Sequence, residues 1–121
     1  MKKIKQSLLG LLVLLTFVSC KKDISSNNFN YIGTWNWSDG ALSEQIIIHQ
    51  DGTGAYTSVG LGFKKDISGY VKFDGDNFKV TAFGIKKGFI TYTRPTKVVT
   101  SQVPLAYFYM ANFNEKTFIR E

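Results

Sequence analysis

The chain has 121 residues, a formal net charge of +6, 15% aromatic residues and one cysteine. A single cysteine excludes internal disulfides and cysteine-based metal clusters, so a small domain of this kind must hold itself together by burial. From Phe29 onward ten Lys or Arg stand against eight Asp or Glu, so the basicity belongs mainly to the start of the chain and argues for no nucleic-acid partner.

Taken in order, Lys2, Lys3 and Lys5 precede residues 8–18, which are apolar apart from Gly10 and Thr16. A basic start followed by about 11 apolar residues is the pattern of an export signal. The run is too short for a bilayer-spanning helix, which needs about 20. At its end Phe17-Val18-Ser19-Cys20 resembles the lipobox of bacterial lipoproteins. The resemblance implies cleavage before Cys20 and acyl chains on its sulfur and new amino terminus. No cofactor other than these acyl chains is expected. Each buried CH₂ contributes about 0.8 kcal/mol, so several chains on one residue give a firm anchor. Lys21 stands where many lipoproteins carry an inner-membrane retention aspartate, which implies the outer membrane, on its periplasmic or its surface face. Residues 25–28 are short and polar and read as a tether. The expected organisation is a signal over 1–19, a lipidated cysteine and tether over 20–28, and one domain over 29–121.

The domain reads as all-β. Asp51-Gly52 lies between two apolar or β-branched runs, a strong hairpin signal, and Asp74-Gly75-Asp76-Asn77 repeats the device. Around it Ile67, Gly69, Val71 and Phe73, then Phe78, Val80 and Ala82, alternate with polar residues, which predicts one buried face. Residues 84–88 read as a turn before a strand at 89–93. Residues 97–100 read as a short edge strand, followed by strands at 105–111 and 117–120. No window shows a helical period. Seven or eight strands in sequential order predict an antiparallel meander, closed as a barrel or folded as a sandwich.

Gly33-Thr34-Trp35 at the head and Arg120 at the tail resemble the lipocalin-like (calycin) barrels. There a Gly-x-Trp packs against a basic residue of the last strand, which implies that Arg120 stacks on Trp35 to close the barrel's end. The bulky set Trp35, Ile46, Ile48, Phe73, Phe78, Val80 and Phe108 is expected to fill so short a barrel.

For catalysis the residues offer little. His49, the only histidine, is expected on the face opposite Ile46 and Ile48, with no nucleophile beside it. Asp51, Asp74, Asp76 and Glu115 fall in turns, where Asp caps backbone amides, and neither a zinc set nor a calcium loop is complete. Lys64-Lys65 and Lys86-Lys87 read as edge protection. No catalytic residue and no metal ligand is assigned. If Phe108 is core, Tyr107 and Tyr109 face outward, near Tyr70 or Tyr92, as an aromatic contact surface. The expected function is therefore a membrane-anchored, non-enzymatic module recognising a protein or saccharide, with a lipocalin-like carrier of a small apolar ligand as the alternative.

Overall fold

A computed structural model of the chain describes residues 22–101 and 106–120. The signal segment and Cys20 lie outside the described residues. Among the described residues one 3-10 helix (Ser26–Tyr31) precedes nine strands. They are β1 (Gly33–Ser38), β2 (Ser43–Ile48), β3 (Thr53–Gly60), β4 (Phe63–Asp74), β5 (Asn77–Ala82), β6 (Ile85–Phe89), β7 (Thr91–Val99), β8 (Tyr107–Phe113) and β9 (Lys116–Arg120). All belong to one antiparallel sheet in the order β6-β5-β4-β3-β2-β1-β9-β8-β7, curled into an open half-barrel.

The turns alternate between two rims. One rim, near the N-terminal segment, carries the β2–β3 and β4–β5 turns and the β7–β8 connection. The far rim carries the β1–β2, β3–β4, β5–β6 and β8–β9 turns. The sheet's two edges, β6 and β7, are consecutive in sequence with only Ile90 between them. Because every ladder is antiparallel and β9 pairs with β1, β6 and β7 must run in the same direction. They form one long swerving strand that gives its first half to β5 and its second half to β8. That arrangement leaves a seam without a ladder, bridged by side chains and turns. Asn77 Oδ1 accepts from Thr91 N at 3.0 Å, and Thr91 Oγ1 donates to the Asp76 carbonyl. Asn114 in the β8–β9 turn donates through Nδ2 to Gly88 O at 2.9 Å and accepts from Ile90 N at 2.8 Å.

Nine strands appear where seven or eight were expected, because the expected turn at 84–88 forms a strand of its own, while the separate strands expected at 89–93 and 97–100 lie mostly together in β7. The expected turn over 84–88 is instead mostly β6, with the reversal confined to Phe83 and Gly84, both at positive φ. Pro95 sits inside β7 rather than outside a strand. It is tolerated because β7 is an edge, and the ladder to β8 shifts register between Thr93 and Thr96.

The concave face carries the core. Trp35, Tyr31, Phe113, Phe118, Ile46, Ile48 and Val80 are the largest fully buried side chains. Each such apolar side chain contributes about 1.5–3 kcal/mol by burial. Phe113 is the hub: its ring lies within 5.1–5.8 Å of Phe78, Trp35, Phe118 and Tyr31. The alternation predicted for residues 67–82 is present, with Ile67, Val71, Phe78 and Val80 buried. In β8 the parity is the reverse of the expectation. Ala111 and Phe113 are the buried pair, so Tyr107 and Tyr109 share their face and Phe108 points the other way. The strand's inward face is set by the residues next to β9, and the bulky Tyr-Phe-Tyr run lies beyond them.

The segment expected as a free tether is docked. Ile24 is buried and its N–H donates to Gln50 O at 2.9 Å. Asn28 donates through Nδ2 to Gly75 O at 3.0 Å, and Tyr31, fully buried, reaches Asp76 through its hydroxyl. Polar composition hid these anchors, because Ser25 and Asn28 spend their polarity on capping and turn carbonyls instead of on water.

Candidate functional site

Two features stand out from an otherwise ordinary small core: a buried ionised cluster at the far rim and a long polar trough on the outer face of β9, β1, β2 and β3. The cluster begins with alternation. Glu44 precedes Ile46 and Ile48 on the inward face of β2 and is only 4% exposed. Its carboxylate accepts from the Tyr56 hydroxyl on β3 and pairs with the Lys116 ammonium at the start of β9. The ammonium also lies 4.5 Å from the Trp37 ring centre. Burial, and then the hydrogen bond to Glu44, push the Tyr56 phenol up to about 12. Lys87 stands 5.7 Å from the Tyr56 ring and 5.8 Å from Phe89.

A carboxylate taken from water costs several kcal/mol before pairing, and an apolar residue of similar size would often be neutral or stabilising in its place. The cluster is therefore poorly explained by stability alone, and its buried Tyr56 with a raised pKa is the kind of group that often marks a functional site. The signal was present in the sequence: Glu44 lies two residues before Ile46 and four before Ile48, so strand parity already placed it inward.

The trough encloses about 1010 Å³ and runs from Ile32, Gly33 and Arg120 at one end to Trp37, Ser38, Ser43 and Glu44 at the other. Between them its floor is a row of hydroxyls and amides, Thr34, Asn36, Gln45 and Thr57. These residues neighbour one another through the register Thr34↔Ile47, Asn36↔Gln45 and Gln45↔Thr57. Gln45 Nε2 donates to Asn36 Oδ1 at 3.0 Å, which fixes the two amides and leaves further donor and acceptor sites facing outward. Arg120 and Glu44 border its two ends, but both side chains turn inward, Arg120 onto Trp35 and Glu44 to Tyr56 and Lys116.

The Gly33, Trp35 and Arg120 set is brought together. The Arg120 guanidinium lies 5.0 Å from the Trp35 ring centre and 4.3 Å from that of Tyr109. Its Nη1 donates to Asn30 O at 2.8 Å and also to Ile32 O. The planar fork suits this double duty, as an ammonium would not. Gly33 has φ +135, and a Cβ there would fall inside the Arg120 side chain, so glycine is required on both counts.

The four tyrosines do not form one patch. Tyr107 and Tyr109 meet edge to face at 6.2 Å, but Tyr109 is half-buried beneath Arg120. Tyr70 is on β4, and Tyr92 lies at the opposite end of β7 from Val99, the register partner of Tyr107. His49 is exposed beyond the end of β2, in the β2–β3 turn. Asp51 caps Thr53 through N at 2.9 Å and Oγ1 at 2.6 Å, and Asp76 pairs with Arg94 at 3.2 Å. Among the described residues no group of three or more His, Cys, Asp or Glu is placed to hold a metal ion. Lys64 pairs with Asp66 at 3.6 Å at the far rim.

The curled antiparallel sheet is compatible with a small-molecule-binding domain of the calycin kind. Comparison of the chain with protein-family models, curated proteins and solved structures finds no match to any of them.

Proposed function

We propose that this chain is a lipid-anchored, non-enzymatic domain that binds a small molecule, and that the ligand lies in the outer trough between Arg120 and Glu44. The observation that carries the reading is the trough itself: about 1010 Å³, floored by Thr34, Asn36, Gln45 and Thr57, with the two amides held by their mutual hydrogen bond. Convergent polar groups of that kind fix a ligand's orientation in a concave site. Val59 and Ile119 line the same trough, so the ligand is small and amphipathic, with polar groups for the amides and an apolar part for these side chains. An apolar passenger inside the half-barrel is disfavoured, because Trp35, Phe113, Phe118 and their neighbours occupy that space. The lipobox-like Phe17-Val18-Ser19-Cys20 supports anchoring of the domain to the outer membrane through acyl chains on Cys20.

The test is a small-molecule screen read by amide chemical shifts. Binding compounds are expected to move the amides of Thr34, Asn36, Gln45 and Thr57. Replacing Asn36 and Gln45 together by Ala should weaken them about fivefold to a hundredfold, since each lost hydrogen bond is worth about 0.5–1.5 kcal/mol. Compounds that move the amides of Phe113 and Phe118 while the trough stays still would refute the assignment in favour of an interior carrier. Metabolic labelling with a fatty acid, abolished by Cys20→Ser, tests the anchor separately.

A further inference from the structure

We propose that the rim carrying the N-terminal segment and the β7–β8 ribbon is a membrane-seating surface, which holds the domain against an anionic lipid bilayer in one orientation. The inference rests on the anchoring reading above and goes beyond it, because an anchor alone leaves a domain free to tumble.

The first support is the leash. The described chain begins at Lys22, and its backbone is already lodged against the β2–β3 turn. A Cβ on Gly52, whose φ is +88, would collide with the Lys22 carbonyl. Only Lys21 lies between Cys20 and Lys22, and two residue steps of extended chain span at most about 7 Å. A lipid on Cys20 therefore brings this rim, and not the far one, to within about a nanometre of the headgroups.

The second support is what the rim presents. Beyond the Tyr109↔Arg120 pair, β9 has ended and β7 and β8 continue as a ribbon two strands wide. On it Tyr107 is 62% exposed and Val99, its register partner, 61%. Phe29 on the 3-10 helix, 45% exposed, adds a further ring at the same rim. Lys97 lies 4.3 Å from the Tyr107 ring, and Lys22 stands exposed at the start of the docked segment. Tyrosine with an apolar body and a polar tip suits the headgroup level, and lysines there attract anionic lipid.

The rim also carries acids: Asp76 is engaged by Arg94, which also donates to Asn27 O, Asp51 caps Thr53, and Asp23 and Asp74 stand exposed. Behind the surface, cations and rings alternate inward. Lys97 covers Tyr107, Tyr107 meets Tyr109, and Arg120 lies against both Tyr109 and Trp35. The ribbon is thereby braced against the core.

The experiment uses the full acylated chain in vesicles of phosphatidylethanolamine with phosphatidylglycerol. With Cys20 consumed by its lipid, an introduced cysteine is the free thiol for an environment-sensitive fluorophore. Tyr107→Cys reports on the seated rim and Leu61→Cys on the far rim; both sites are exposed, so neither change touches the core. The probe at 107 is expected to shift to the blue and to be quenched several-fold by nitroxide-labelled headgroups, with the probe at 61 unaffected. Lys97→Glu should reduce the effect at 107. Equal quenching at both positions, or quenching at 61 alone, overturns the seating while the anchor stands. A chain without acyl mass that fails to float with vesicles removes the anchor and the seating together.

Discussion

Replacing Lys116 by Met isolates the Glu44 carboxylate inside the half-barrel. Removing one partner of a buried pair typically costs about 3–5 kcal/mol, because the remaining charge keeps its desolvation and loses its compensation. Here the Lys116 side chain is 33% exposed while that of Glu44 is 3% exposed, so water screens one side of the pair. The expected loss is therefore lower, about 2–3 kcal/mol, including the contact with Trp37 at 4.5 Å. The decisive comparison is the triple variant Glu44→Leu, Lys116→Met, Tyr56→Phe, which removes the charges and the hydroxyl that would be stranded. It should lie within about 1 kcal/mol of the parent or above it. Urea denaturation followed by tryptophan emission measures both, with an unchanged slope required for the comparison. If Lys116→Met falls within 0.5 kcal/mol of the parent (roughly the limit for an ordinary surface change), or the triple variant loses as much as the single one, the cluster is not an uncompensated cost retained for function.

Two further outcomes are expected. The folded Tyr56 phenol stands at about 12 against 10.0 for the free side chain, so its contribution to stability is fully present below pH 10 and is lost as pH rises through about 12. The loss is on the order of 2–3 kcal/mol, and alkaline denaturation curves of Tyr56→Phe should lack it. Asn114→Ala removes both side-chain bonds across the seam and leaves alanine at φ 54, so it should cost about 1–3 kcal/mol and speed amide exchange at Ile90. Unchanged exchange there would mean that the seam is held by something other than Asn114.

Local signals carried most of the sheet. Asp-Gly pairs placed two turns, and the alternation from Ile67 to Ala82 set the inward face of β4 and β5, because both depend on residues adjacent in sequence. The meeting of Trp35 with Arg120 was also legible, through a resemblance confined to three residues. What escaped depended on neighbours far along the chain. The parity of β8 is decided by where Ala111 and Phe113 meet β9 and the core, and the more conspicuous Tyr-Phe-Tyr run pointed the other way. The swerve at Ile90 has no composition of its own; it follows from β9 pairing with β1. Glu44 was visible as an inward residue by parity, but its partners Tyr56 and Lys116 come from two other strands.

The order of the strands also bears on how the domain forms and comes apart. Among the described residues every ladder but one joins strands consecutive in sequence, the class of contact that forms early and quickly. The exception joins β1 to β9 through the registered pair Asn36↔Ile119, more than eighty residues apart, and its loop-closure entropy delays it to the end of folding. β7, β8 and β9 therefore behave as one cooperative unit, clasped to the rest by Arg120 at one rim and Asn114 at the other. Opening that unit takes the Phe113 ring from Trp35, Tyr31 and Phe78 and uncovers Phe118, so sub-global unfolding is expected to begin as a hinge motion of β7 to β9 that loosens the core they close.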